Sequence, residues 1–289
     1  MAKQSRPDLA VQTSLAQQGL PEMNQTHLRM INNAVRRAKQ HRDLKLRIPS
    51  IPLHRLGIMM HSDASLLNAN AKGTQGGYLI GVCDRQVAEG VEGSWGPIAW
   101  KSGRLRRIVA STLAAETQSM LEGMRELAWV LSIIAELTEE NFDIEKAEAN
   151  GSKYYLPSWA VTDCKSAYDT LTAQGVSTTR DREVGLDAIL IRKLRVRIGT
   201  TIRWGPGTVQ LADFLTKDSA DSVDAVRAAM RTSRYCLGDE ELALAKRKEE
   251  RERRMARAAA ACEENVKRQM TQSQQRRTNS GGAQSSGNT

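Results

Sequence analysis

Aromatic side chains make up only 4% of the 289 residues, and cysteine appears four times. Cys83, Cys164, Cys236 and Cys262 lie far apart, with no C-x-x-C pair and no histidine-rich spacing. That argues against a structural zinc site and a disulfide framework, and for reduced thiols inside a cell. No apolar run approaches the roughly 18 residues that a membrane helix needs. The amino-terminal MAKQSRPDLAVQ has no hydrophobic signal core, so a soluble intracellular protein is expected, cytoplasmic or nuclear and without a membrane partner. What the chain does have is a sufficient core fraction, 40% hydrophobic, and a formal charge of +9. The length allows one full domain plus extras, or two small domains. The charge favours an anionic partner, nucleic acid first, because a polyphosphate rewards scattered Lys and Arg through counterion release.

Three zones follow along the chain. Residues 1–53 are helix-prone and basic, with Leu28, Ile31, Ala34 and Val35 on one helical face that ends before Pro49 and Pro52. Residues 54–237 carry an α/β pattern. LGIMMHSD is a first strand, a Gly-rich turn KGTQGG leads to YLIGVCD, and GPIAWKS is a third short strand. A long helix follows, apolar through Leu113, Met120, Met124, Leu127, Val130, Leu131 and Ile134. Residues 139–153 read as a loop. SWAVTD is a fourth strand, CKSAYDTLTA and EVGLDAILIRKL are helices, TTIRWG is a fifth strand, and VQLADFLTK opens a last helix. Three consecutive strands suggest an antiparallel meander and the later β–α–β alternation suggests parallel neighbours, giving a five-stranded mixed sheet flanked by helices. Residues 238–289 mix acids and bases without an apolar stripe, which reads as a solvated charged helix, and end in the disordered NSGGAQSSGNT.

Four acids stand out: Asp63 at the end of the first strand, Glu116 about two turns into the long helix, Asp163 ending the fourth strand, and Asp213 near the start of the last helix. Each alone has an ordinary explanation as a turn former, a paired helix residue or a helix-start charge. Together they converge only if strands one and four lie side by side. Clustered carboxylates raise one another's pKa values unless a cation compensates, and hard oxygen donors without His or Cys suit Mg²⁺ or Mn²⁺.

These residues carry a resemblance. HSDAS, GGYLIGV, PIAWKSGRLRRIVASTLAAETQSM, AVTDCKSAYDTL and QLADFLTK resemble, in order and spacing, the RNase H domain of Ty/copia-type retrotransposon Pol polyproteins. The stretch from Ser5 to Asp43 is similar to the last part of the reverse transcriptase that precedes it, so residues 1–53 are expected to be such a remnant. The resemblance implies an RNase H-like fold over 54–237 and cleavage of the RNA strand of RNA–DNA hybrids with two Mg²⁺ or Mn²⁺ ions. It implies Asp63, Glu116, Asp163 and Asp213 as catalytic residues and metal ligands. Lys101, Arg104, Arg106 and Arg107 are then expected at substrate phosphates. The remainder of a Pol polyprotein is the other implied partner.

The chain departs from that pattern in places. TRDREVGLDAI lacks the expected His, Cys164 stands where the family usually has Asn, and the second strand is entered through glycines. Asp169, Asp181 and Asp187 are expected as surface or capping residues, and His61 as filling the strand edge. The polymerase acids of a reverse transcriptase are missing, so no polymerisation is expected. The competing reading is an inert nucleic-acid-binding remnant of a decayed element. An integrase is disfavoured because Glu116 comes second rather than last, and a coiled-coil partner protein because the tail has no a/d seam.

Overall fold

Alternation along two strands divides the core into two layers. The structure, a computed structural model, describes residues 2, 4–69, 73–150, 155–173, 181–218 and 220–281. Within it β1 (Leu56–Ala69) pairs antiparallel with β2 (Gly73–Asp84). Successive strand residues point to opposite faces. Ile58, Met60, Tyr78, Ile80 and Val82 therefore share one layer with Met120, Met124, Leu127 and Leu131 of α3 (Thr112–Thr138). Met59, Leu79 and Cys83 share the other with Trp95, Phe214, Leu215, Val226 and Met230.

The sheet is mixed, as the fold class expected. β3 (Gly93–Arg104) runs antiparallel to β2, while β4 (Ser158–Thr162) lies parallel to β1 and β5 (Thr201–Trp204) parallel to β4. The strand order is β5-β4-β1-β2-β3-β6, a mixed α/β sheet with helices on both faces. Among the described residues it has six strands rather than five. The sixth, β6 (Arg234–Tyr235), forms because Ser233, at φ 53°, turns the chain out of α7 (Ala220–Thr232) and back along β3.

Several local expectations need correction. β1 does not end at Asp63: it continues to Ala69, paired with β2, so Asp63 is a mid-strand residue. The glycines from Gly73 to Gly77 are strand residues, and at Gly77 a side chain would lie 2.5 Å from Leu215 Cβ. Part of the expected 139–153 loop is a short helix, α4 (Ile144–Asn150), capped by Asp143, which accepts from the backbone N–H groups of Glu145 and Lys146; residues 151–154 lie outside the described residues. The apolar face of α2 (Gln25–Gln40) is only partly covered: none of its residues is buried, Ile31 and Ala34 are half-buried, and Leu28 and Val35 are each 49% exposed.

α3 fixes the frame of one layer. Ser111 caps it, accepting from Ala114 N–H at 3.1 Å. At Gly123 the helix lies hard against the sheet, since a Cβ there would sit 2.9 Å from Met60 Sδ. α5 (Lys165–Thr172) and α6 (Arg182–Ile198) complete that layer through Leu171, Ala188, Ile191 and Ile198. Asp181 caps α6 as expected, whereas Asp187 is buried rather than on the surface.

Two compact units appear, the first from Met1 to Glu240 and the second beginning at Glu241. The second is made of α8 (Glu240–Gly281), a charged helix with pairs such as Arg253–Glu249 at 2.6 Å. It extends past Asn279, where the disordered end was expected; residues 282–289 lie outside the described residues. Among the described residues no helix is long and apolar enough to cross a membrane.

The amino-terminal segment belongs to the first unit. α1 (Ala10–Gln18) buries Val11, Leu15 and Ala16, and Ala10 and Leu44 join the second core layer. Asp8 anchors this segment to α7: Arg6 grips it through two bonds of 2.8 and 2.9 Å, and Arg227 Nε reaches it at 3.3 Å, all three residues buried. Removing one partner of a buried ionic group leaves the others uncompensated. Asp8→Ala is expected to lower stability by about 3–5 kcal/mol in urea unfolding, the cost of breaking a buried pair. A loss below about 1 kcal/mol, the scale of a solvated surface pair, would show that this triad is not what holds the segment.

Candidate metal centre

The register of a parallel pair brings two of the four acids level. Ile58 lies opposite Ser158, and the pairing proceeds without a slip to His61 opposite Val161. Continued two residues further, it puts Asp163, which follows the last residue of β4, beside Asp63. Asp213 arrives from the other core layer. The expectation that it starts a helix is corrected: it lies in a single 3-10 turn, Asp213–Leu215, fixed by the burial of Phe214 and Leu215. One carboxylate oxygen from each of Asp63, Asp163 and Asp213 lies within 4.8 Å of the others.

The backbone around this group is held on all sides. Ser119 Oγ of α3 donates to the Asp63 carbonyl at 2.8 Å and accepts from Gly77 N–H at 3.2 Å, tying helix, β1 and β2 together. The Trp204 indole N–H donates to the Asp163 carbonyl at 2.9 Å. Gln210 donates to the Ser62 carbonyl at 3.0 Å. Thr216 Oγ1 donates to Asp63 Oδ2, and Lys217 Nζ lies 2.9 Å from Asp213 Oδ1 and 3.8 Å from Asp63 Oδ2. None of these supports stood out in the sequence. Thr216 and Lys217 had a signal, being three and four residues after Asp213 in the motif QLADFLTK, one turn further along any tight coil.

Glu116 is close but not a member of the three. It is buried on the second turn of α3, and its Oε2 has no hydrogen-bond partner. Burial, then the negative charges of Asp63, Cys164 and Asp163, push its carboxyl well above the usual range. Asp63 is buried too and is pushed up to about 7, by desolvation first and by Asp213 and Asp163, against the opposing pull of Lys217 and the Thr216 hydroxyl. Lys217 loses by burial but gains more from the acids, so its ammonium is held above its ordinary pKa. An all-oxygen donor set with an orphaned carboxylate oxygen and mutually repelling acids fits a hard divalent cation, Mg²⁺ or Mn²⁺.

His61 is not at an edge. It is fully buried, bonded through Nδ1 to Gln210 at 3.0 Å and edge-on to Tyr235, and desolvation lowers its pKa to about 4. The four expected phosphate contacts divide. Lys101 is bonded to Glu122 at 2.6 Å and Arg107 is ion-paired with the buried Asp187. Arg104 and Arg106 line a recess with Leu67, Thr74 and Leu105. Asp63, Gly77 and Ser102 lie level across β1, β2 and β3, which places Lys101 two strands from the acids.

The raised Asp63 pKa has a consequence for stability. An unfolded Asp ionises near 3.8, whereas the folded one keeps its proton to about 7, so this group costs stability as pH rises between those values. With divalent ions chelated, Asp63→Asn should be more stable than the parent at pH 8 by on the order of 2–4 kcal/mol and equal to it near pH 4. A variant no more stable than the parent in a pH 8 melt would show that Asp63 is not held against repulsion.

No family model matches the chain, and no curated protein matches it. Solved structures do. The RNase H1 from the halophilic archaeon Halobacterium salinarum NRC-1 is 13% identical, with a TM-score of 0.36 over 56% of this chain and 99% of that one. LC11-RNase H1 in complex with an RNA/DNA hybrid is 12% identical, with a TM-score of 0.36 over 57% and 96%. The foamy viral protease-reverse transcriptase in complex with RNA/DNA hybrid is 9% identical, with a TM-score of 0.33 over 56% of this chain and 19% of that one.

Proposed function

We propose that the chain is a metal-dependent endoribonuclease that hydrolyses the RNA strand of RNA–DNA hybrids, and that it derives from the RNase H part of a Ty/copia-type Pol polyprotein. One observation carries this reading: Asp63, Asp163 and Asp213 come within 4.8 Å of one another from two adjacent parallel strands and a turn. Nothing in core packing requires three acids there. The motif resemblance supplies the rest, including the assignment of residues 54–237 to the RNase H-like part and 1–53 to a reverse-transcriptase remnant.

On this reading Asp63, Asp163 and Asp213, with Glu116 beside them, would hold two Mg²⁺ or Mn²⁺ ions. When bound, such ions supply a water of lowered pKa and positive charge at the leaving oxygen. The chain's own residues do the positioning. Thr216 fixes the Asp63 carboxylate, Ser119 fixes its backbone, and Lys217 balances charge across Asp63 and Asp213. Arg104 and Arg106, which are exposed, are suited to hybrid phosphates; Lys101 and Arg107 would first have to leave Glu122 and Asp187. A hybrid would be gripped through its A-form backbone and 2′-hydroxyls.

The inert reading is favoured by one contact. Lys217 already offers a cation to two of the three aspartates, which is the charge compensation a metal would otherwise give. Cleavage of a labelled RNA–DNA hybrid by residues 1–289, with Mg²⁺ or Mn²⁺ and with EDTA, separates the two. The whole chain is used because Ala10 and Leu44 are part of the core. The expected result is metal-dependent cutting of the RNA strand alone, reduced at least about a hundredfold in Asp63→Asn and in Asp163→Asn, as for loss of a principal electrostatic group. A folded chain whose melting temperature rises with Mg²⁺ but which cuts nothing would establish the inert remnant instead.

A further inference from the structure

α3 and α6 pack side by side and leave a furrow between them. Its lining is Leu121 and Arg125 from α3, and Leu190, Lys193, Leu194 and Arg197 from α6. Three leucines form the floor and three cations the rim, with no acid among them. The acids of this region line the adjoining recess, which shares Leu121, Arg125 and Leu190 with the furrow. Glu122 is engaged by Lys101 and Asp187 by Arg107. The furrow is also not closed over: Leu190 is 40% exposed and Arg125 and Lys193 are exposed. Residues four apart stand on one helix ridge. The ridge of Leu121 and Arg125 therefore continues through Trp129, Ile133 and Leu137, which are 59%, 39% and 80% exposed. On α6 the ridge of Leu190 begins at Leu186, 60% exposed.

An apolar floor, a basic rim and an exposed tryptophan together select among anionic partners. A nucleic-acid backbone matches cations but gains nothing from a leucine floor, and a strand of bases stacks on successive aromatic platforms where this site offers Trp129 alone. The chain's own α8 is rich in Lys and Arg, so a second copy would bring like charge to the rim. We propose that the α3–α6 furrow docks an amphipathic helix of another protein, with its apolar face on Leu121, Leu190 and Leu194, its flanking Glu or Asp at Arg125, Lys193 and Arg197, and Trp129 as the anchor. Helix-in-groove recognition uses this combination of apolar anchors at helical spacing and complementary rim charge. The site shares α3 with Glu116 but none of its lining residues is among the carboxylates or their supports, so it stands whether or not the chain cuts hybrids.

The test uses the full chain and two labelled peptides of about 18 residues, long enough for five turns. One is built of Leu and Glu and the other of Leu and Lys, in the same amphipathic helical pattern. Fluorescence anisotropy should show saturable binding of the Leu/Glu peptide only. Binding should weaken at least about tenfold in Arg125→Glu/Lys193→Glu and in Trp129→Ala, a loss of about 1.4 kcal/mol or more. Arg29→Glu/Arg36→Glu on α2, with the same net charge change, should leave it intact. Equal loss in the α2 control would reduce the effect to bulk charge and overturn the proposal. So would binding of the Leu/Lys peptide, displacement of the peptide from the furrow by an RNA–DNA hybrid, or no binding at all by variants and parent that retain their helical circular dichroism.

Discussion

Electrostatic repulsion among Asp63, Asp163 and Asp213 is the constraint around which the sheet end is organised. Two strands in parallel register place two acids level, and a buried turn delivers the third. Such a cluster opposes folding unless something compensates. The compensation present in the chain is partial: one ammonium from Lys217, one hydroxyl from Thr216, and a proton retained by Asp63 to about 7. Glu116 adds a further buried acid with an unpartnered oxygen. Stability is thus given up at one place, and the surrounding contacts must hold the geometry against that cost.

They do so from both core layers. Ser119 reaches Asp63 from the helical layer through α3, and α3 can come that close because Gly123 carries no side chain above Met60 and Tyr78. Asp213 comes from the opposite layer, where Phe214 and Leu215 are fully buried and so pin the turn that carries it. Gly77, level with Asp63, leaves the space that Leu215 fills. A change in either layer would therefore be felt at the carboxylates, because the acids sit where the two layers meet across β1. The amino-terminal segment enters the same account, since Ala10 and Leu44 pack in the layer of Phe214 and Leu215.

The apolar runs of β1 and β2 and the stripe on α3 were legible in the sequence, because burial on both faces of a strand or one face of a helix imposes them directly. Residue type and motif order singled out four acids, and the structure brings Asp63, Asp163 and Asp213 of them together. Strand ends were not legible. The polar run His61–Ser62–Asp63 looked like a terminus, yet these residues are buried, with hydrogen bonds to Gln210, Met120 and Thr216 replacing those to water. Polarity in a sequence signals solvent only when no partner exists, and the partners here lie far along the chain. The same blindness hid Asp187, an acid on a helix surface by spacing but buried against Arg107 by packing.

The two acids that pair with basic residues near β3 also show what charge counting misses. The formal charge of +9 suggests a surface open to polyanions, but Lys101 and Arg107 are committed to Glu122 and Asp187. Cations already neutralised by neighbours release fewer counterions on binding a nucleic acid, so they contribute less to its affinity than free ones. Among the exposed basic residues, Arg104 and Arg106 stand at and just beyond the end of β3, and Arg125 and Lys193 on the α3–α6 furrow. Those at β3 stand over a strand end and a loop, Arg104 level with Ser65, two residues along β1 from Asp63. Those at the furrow stand over leucines. Equal charge on unlike floors favours unlike partners, since the gain from burying apolar surface is available at one and absent at the other.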